Sequence, residues 1–127
     1  MKIDTNKIIK RWTPKALKLL GNKGKLFSLS VEAINKISDK DGLESLGHDG
    51  ILAIHLVMDW ARGRYKGVKK GNLIKIVIAI LYLLSPLDII PDFILGIGYL
   101  DDIAVFMSIL KRVHKELEAY EKWREMK

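Results

Sequence analysis

No cysteine occurs among the 127 residues, which excludes disulfides and thiolate metal sites and fits a reducing compartment. Alternating Val/Ile-rich runs bounded by hairpin turns are missing too, so the chain carries no β-sheet pattern. Internal repeats and low-complexity segments are absent. No uninterrupted apolar run reaches the ~20 residues that a bilayer-spanning helix needs. The segment 1–11 has the charges of a secretory n-region, but neither an apolar stretch nor a small-residue cleavage site follows it, so no secretory signal is expected. Acids are nearly absent from residues 1–25, where eight Lys/Arg face Asp4 alone, and this basic N-terminal region accounts for the whole formal charge of +7.

What is present reads as one all-α domain over residues 1–127, long enough to bury a core without metal or disulfide staples. About five helices are expected. Thr13-Pro14 reads as N-cap and N1 of a short helix to Leu20. A second helix, about Lys25–Ser38, places Phe27, Val31, Ile34 and Ile37 on one face. A third, about Gly50–Tyr65, aligns Ile54, Val57, Ala61 and Tyr65, with Ile51 and Trp60 broadening the stripe. Asn72 suits the cap of a fourth helix ending near Leu84. The last, about Asp101–Trp123, carries Phe106, Ile109, Leu110, Val113, Leu117 and Tyr120 on one side.

The fourth helix is apolar all round from Ile76 to Leu84, which means burial in protein or in lipid. Leu73–Leu84 rises only ~18 Å at 1.5 Å per residue, short of a ~30 Å hydrocarbon core. A longer window to Leu95 takes in Pro86, Asp88, Pro91 and Asp92, which suit lipid-exposed helix poorly. Two geometries remain: the central helix of a bundle, or a helical hairpin (Leu73–Leu110) that dips into a membrane from one side. Arg62, Arg64, Lys66, Lys69, Lys70 and Lys75, with no acid among them, precede the first arm, and Lys111, Arg112 and Lys115 follow the second. Both open ends are therefore basic, which places them on the cytoplasmic side and attracts anionic headgroups. Trp60, Tyr65 and Tyr82 serve either as interfacial anchors or, preferably, as core.

The stretch from Leu81-Tyr-Leu-Leu-Ser-Pro-Leu-Asp-Ile-Ile-Pro-Asp-Phe-Ile94 to Gly96-Ile-Gly-Tyr-Leu-Asp-Asp102 resembles the signature of the YkvA-like family, a domain of unknown function. The likeness is strong over residues 73–109, and the tail Glu118-Ala-Tyr-Glu-Lys-Trp123 resembles the ending of one subgroup. Leu95 and Gly71-Asn72 depart from the pattern, standing where relatives often have proline. The resemblance implies helical proteins often expected at membranes, with no established activity.

Four carboxylates sit in this apolar region, and each needs a cap, a cation or water. Ser85, Pro86 and Asp88 read as N-cap, N1 and N3 of a helical turn that Pro91 interrupts. Asp101 or Asp102 suits the start of the last helix. Alternatively Asp88, Asp92, Asp101 and Asp102 converge on Mg²⁺, Mn²⁺ or Ca²⁺, with Gly96 and Gly98 letting the chain fold back. The order of acids matches no EF-hand. His48, His55 and His114 form no close ligand pair, Gly96-Ile-Gly98 follows no strand, and Ser85 lacks a nucleophile-elbow setting. The basic N-terminus contains no recognisable nucleic-acid module, so neither DNA nor RNA is the expected partner.

The expectation is a non-enzymatic, membrane-associated structural or interaction module on the cytoplasmic side. Its partner is an anionic membrane surface or an integral membrane protein, and no cofactor is expected. The alternatives are a soluble divalent-metal-binding domain that includes a hydrolase among its readings, and a cytoplasmic homo-oligomeric adaptor.

Overall fold

A computed structural model of the chain describes residues 4–38, 42–84 and 102–126. Their regular elements are all helices, with no strand among the described residues. The first helix, α1 (Thr5–Leu20), starts well before the expected Thr13-Pro14. Asp4 caps it by accepting the Lys7 N–H at 3.1 Å, and Ile8, Ile9 and Trp12 pack against the core. Thr13 is therefore interior to the helix, its hydroxyl donating to the Ile9 carbonyl at 2.6 Å. Pro14 lies on the exposed face, where water can solvate the carbonyl it leaves unbonded.

Helix α2 (Lys23–Ser38) ends where expected, but its buried face is displaced from the predicted one. Leu26, Ser30 and Ala33 are fully enclosed, whereas Phe27, Val31 and Ile34 are half-buried at the rim. Ser30 fits the core because its hydroxyl donates to the Leu26 carbonyl at 3.0 Å. Helix α3 (Gly42–Ala61) begins earlier than Gly50 and is kinked at Gly47, whose φ of 68° is non-helical. It stops at Ala61, short of Tyr65. The cause is a Schellman motif: Gly63 has φ 78°, its N–H reaches the Trp60 carbonyl at 3.0 Å, and the Arg64 N–H reaches that of Asp59 at 2.8 Å. Tyr65 is buried as expected, but from the loop.

Helix α4 (Lys70–Leu84) is the centre of the molecule. It packs against α1, α2, α3 and α5 (Asp102–Leu110). Every residue from Ile76 to Leu83 is at most 7% exposed. The all-round apolar helix is thus enclosed by protein, the bundle geometry of the two that its sequence allows. No helix among the described residues is long and apolar enough to cross a membrane. The α4–α5 pairing is the expected hairpin, with Val105, Phe106, Ile109 and Leu110 buried on the α5 side.

A 3₁₀ turn (Lys111–Val113) links α5 to α6 (His114–Glu125). Val113, at φ −121° and ψ 17°, interrupts what periodicity reads as one continuous helix. Counting 102–125 as a single bent rod gives five rods among the described residues. Tyr82 is also core and Trp60 is half-buried, so the aromatic residues pack rather than present themselves to an interface.

Candidate anion-binding surface

The loop joining α3 to α4 brings most of the second basic block to the surface. Arg62, Arg64, Lys66, Lys69 and Lys70 are exposed, while Lys75, one turn into α4, is half-buried. The Arg62 guanidinium lies 4.6 Å from the Phe27 ring centroid, so the charged head itself rests on the ring of α2 while the residue stays exposed. Tyr65 anchors the loop from beneath. Its ring centroid is 5.0 Å from that of Tyr120 and 4.9 Å from that of Trp123, and the Tyr120 hydroxyl donates to the Asp59 carboxylate. Burial, and then the Asp59 carboxylate, push the Tyr120 hydroxyl well above its ordinary range. The tail that carries Tyr120 and Trp123 therefore fixes the base of the basic loop.

The start of α4 is held from α6 rather than by the expected Asn72 cap. Glu116 Oε1 accepts the Lys69 N–H at 3.2 Å and the Asn72 side-chain N–H at 2.8 Å. Asn72 lies inside the first turn and donates. Sequence spacing gave no signal for this contact, because 44 residues separate the two side chains.

The same junction opens into a cleft of about 530 Å³ whose walls include Lys69, Asn72, Lys111, Arg112, His114 and Lys115. Lys111, Arg112 and Lys115 flank the hairpin in sequence; the fold brings them beside Lys69. Arg112 donates to Asn6 Oδ1 of α1 at 2.7 Å. His114 Nδ1 lies 2.7 Å from Asp49 of α3, and its Nε2 lies 3.6 Å from Glu118. The Asp49 hydrogen bond raises the His114 pKa, favouring the imidazolium. His48 pairs with Glu121, and His55, half-buried, faces Arg124 at 3.5 Å. All three histidines thus lie along the α3–α6 seam.

The remaining sequence candidates are not brought into view. Ser85, Pro86, Asp88, Pro91, Asp92, Gly96, Gly98 and Asp101 lie outside the described residues, and of Asp102 only the backbone, at the start of α5, is described.

Residues 72–107, which take in most of α4, the connecting segment and most of α5, match the family model described as protein of unknown function (DUF1232). The chain is also 48% identical over 69 residues to the uncharacterized membrane protein YkvA of Bacillus subtilis (strain 168). Over that stretch the chain resembles YkvA. That alignment covers 54% of this chain and 65% of YkvA, so the chain spans just under two thirds of that relative's length. No solved structure matches it significantly. Within the DUF1232 segment, α4 is the enclosed core helix. The exposed cations Arg62, Arg64, Lys66, Lys69 and Lys70 precede that segment, the half-buried Lys75 lies inside it, and Lys111, Arg112 and Lys115 follow it.

Proposed function

We propose that the protein is a peripheral, non-enzymatic module that docks on the anionic cytoplasmic surface of a membrane through the α3–α4 loop. The observation that carries this reading is the set of five exposed cations, Arg62, Arg64, Lys66 and Lys69 on a loop pinned by Tyr65 and Glu116, and Lys70 at the first position of α4. The naming of YkvA as a membrane protein supports the location. Energetics favour docking over insertion. Each cation near an anionic leaflet contributes about 1 kcal/mol. Exposing α4 would instead break the close side-chain packing of a row of Ile, Val and Leu, for which lipid offers apolar surroundings but no comparable fit. A fixed loop also loses little entropy on contact.

Sedimentation with vesicles tests the reading. The protein is expected to bind phosphatidylcholine vesicles doped with phosphatidylglycerol, to ignore pure phosphatidylcholine, and to dissociate as salt rises and the Debye length falls from ~10 to ~3 Å. Charge reversal of Arg62, Arg64, Lys66, Lys69 and Lys70 should abolish binding, whereas reversal of Lys23 and Lys25 should weaken it only slightly. Indifference to anionic vesicles at low salt would overturn the proposal.

A further inference from the structure

The cleft between the first turn of α4 and the 3₁₀ turn has a chemistry distinct from the exposed loop. Four permanent or near-permanent cations, Lys69, Lys111, Arg112 and Lys115, line it together with the Asn72 amide and the His114 ring. The one acid in its wall, Glu116, has Oε1 engaged by the Lys69 N–H and Asn72. The walls are preorganised by α1 through Asn6–Arg112 and by α3 through Asp49–His114. A volume of about 530 Å³ accommodates a small polar group rather than a flat lipid surface. Cations from two sides, with a guanidinium fork and an amide donor, suit a ligand with two negative charges and several acceptor oxygens.

We propose that this cleft is a binding site for a phosphate monoester. The inference rests on the surface-docking reading for the lipid source of the phosphate, but the site itself stands on the cleft. A phosphatidic-acid headgroup and a soluble phosphomonoester share the recognised chemistry. On a membrane, the site adds headgroup selectivity to an otherwise diffuse attraction.

The full chain, titrated with glycerol 3-phosphate by calorimetry, is expected to bind it saturably at one site. Replacing Arg112 and Lys115 with Ala should weaken this binding about tenfold or more, since charge-assisted bonds to phosphate are lost. Replacing Lys18 and Lys25 on α1 and α2, an equal loss of charge, should leave it within about twofold if local geometry rather than net charge governs. Unchanged thermal unfolding of both double variants establishes that each is folded. Absence of saturable binding, or equal weakening in both variants, would overturn the cleft. The source is read separately, with vesicles containing phosphatidic acid or phosphatidylglycerol at matched surface charge. Preference for phosphatidic acid, lost with R112A/K115A, supports the lipid headgroup. Glycerol 3-phosphate binding without that preference keeps the cleft as a soluble-phosphate site and removes the lipid source. Vesicle binding without glycerol 3-phosphate binding removes the cleft while leaving surface docking intact.

Discussion

Glu116 on α6 accepts a 2.8 Å hydrogen bond from the side chain of Asn72 in the first turn of α4. With the Lys69 N–H at 3.2 Å on the same oxygen, this places a carboxylate of the last helix at the positive end of the central one. It acts as an N-cap delivered from a distant part of the chain. Glu116→Ala is expected to lower stability by about 0.5–2 kcal/mol, the range for losing a cap. Glu116→Gln, which keeps an acceptor oxygen, should lose less. Chemical denaturation of the two variants checks the ordering, and the idea fails if Gln and Ala cost the same.

Tyr120 and Asp59 tie α6 to the end of α3 directly beneath the basic loop. Tyr120→Phe removes the hydroxyl while keeping the ring that packs on Tyr65 and Trp123. A loss of about 1.5–3 kcal/mol is expected, as for a hydrogen bond to a charged group. Asp59→Ala combined with Tyr120→Phe should cost less than the sum of the single changes. Strict additivity in such a double-mutant cycle would mean that the pair is not coupled.

The fold was legible in the sequence wherever side-chain periodicity decided the outcome. Phe106, Ile109, Leu110, Val113, Leu117 and Tyr120 are all buried, as their spacing predicts. Local end signals were weaker guides. Thr13-Pro14 has the chemistry of a helix start, yet Ile8, Ile9 and Trp12 gain more by packing in helical register than Pro14 loses on an exposed face. Tyr65 has the right spacing for the α3 stripe, but Gly63 turns the chain first and delivers the ring from a loop. The basic block was visible as composition. Its support was not, because Glu116, Tyr120 and the 3₁₀-turn cations reach it only through tertiary packing.

Gly63 is the clearest backbone requirement in the loop. At φ 78° with open space around a Cβ, substitution meets conformational strain rather than a clash. Gly63→Ala should therefore destabilise by about 1–2 kcal/mol, the cost of a left-handed residue with a side chain. Gly71→Ala, in the first turn of α4 and also with open space, is expected to be neutral to stabilising. Melting temperatures that move in the same direction for both would contradict the assignment.

The α3–α6 seam carries two histidines of opposite response. For His114, the Asp49 hydrogen bond raises the pKa above 6.5. Its stabilisation is complete below the unfolded value and disappears as pH rises through the raised folded one. For His55, burial and then Arg124 lower the pKa, with Asp59 opposing. Stability from its neutral form is present above 6.5 and is lost as pH falls through the lowered value. Against the parent, His114→Gln should be destabilised at acidic pH and converge at alkaline pH, whereas His55→Gln should resist acid better. Melting curves measured from about pH 5 to 8, the window in which histidines titrate, decide this. Difference curves that do not change with pH would refute it.

The central claim is that the protein meets a membrane with its basic loop while α4 stays enclosed. Hydrogen exchange on anionic vesicles tests this most directly, since it reads the loop and the buried helix in one experiment. Vesicle binding should slow exchange in the peptides covering residues 62–70 and 111–115 and leave the slow exchange of 76–83 unchanged. Accelerated exchange in the loop, or deprotection of residues 76–83 as α4 leaves its helical neighbours for lipid, would contradict it.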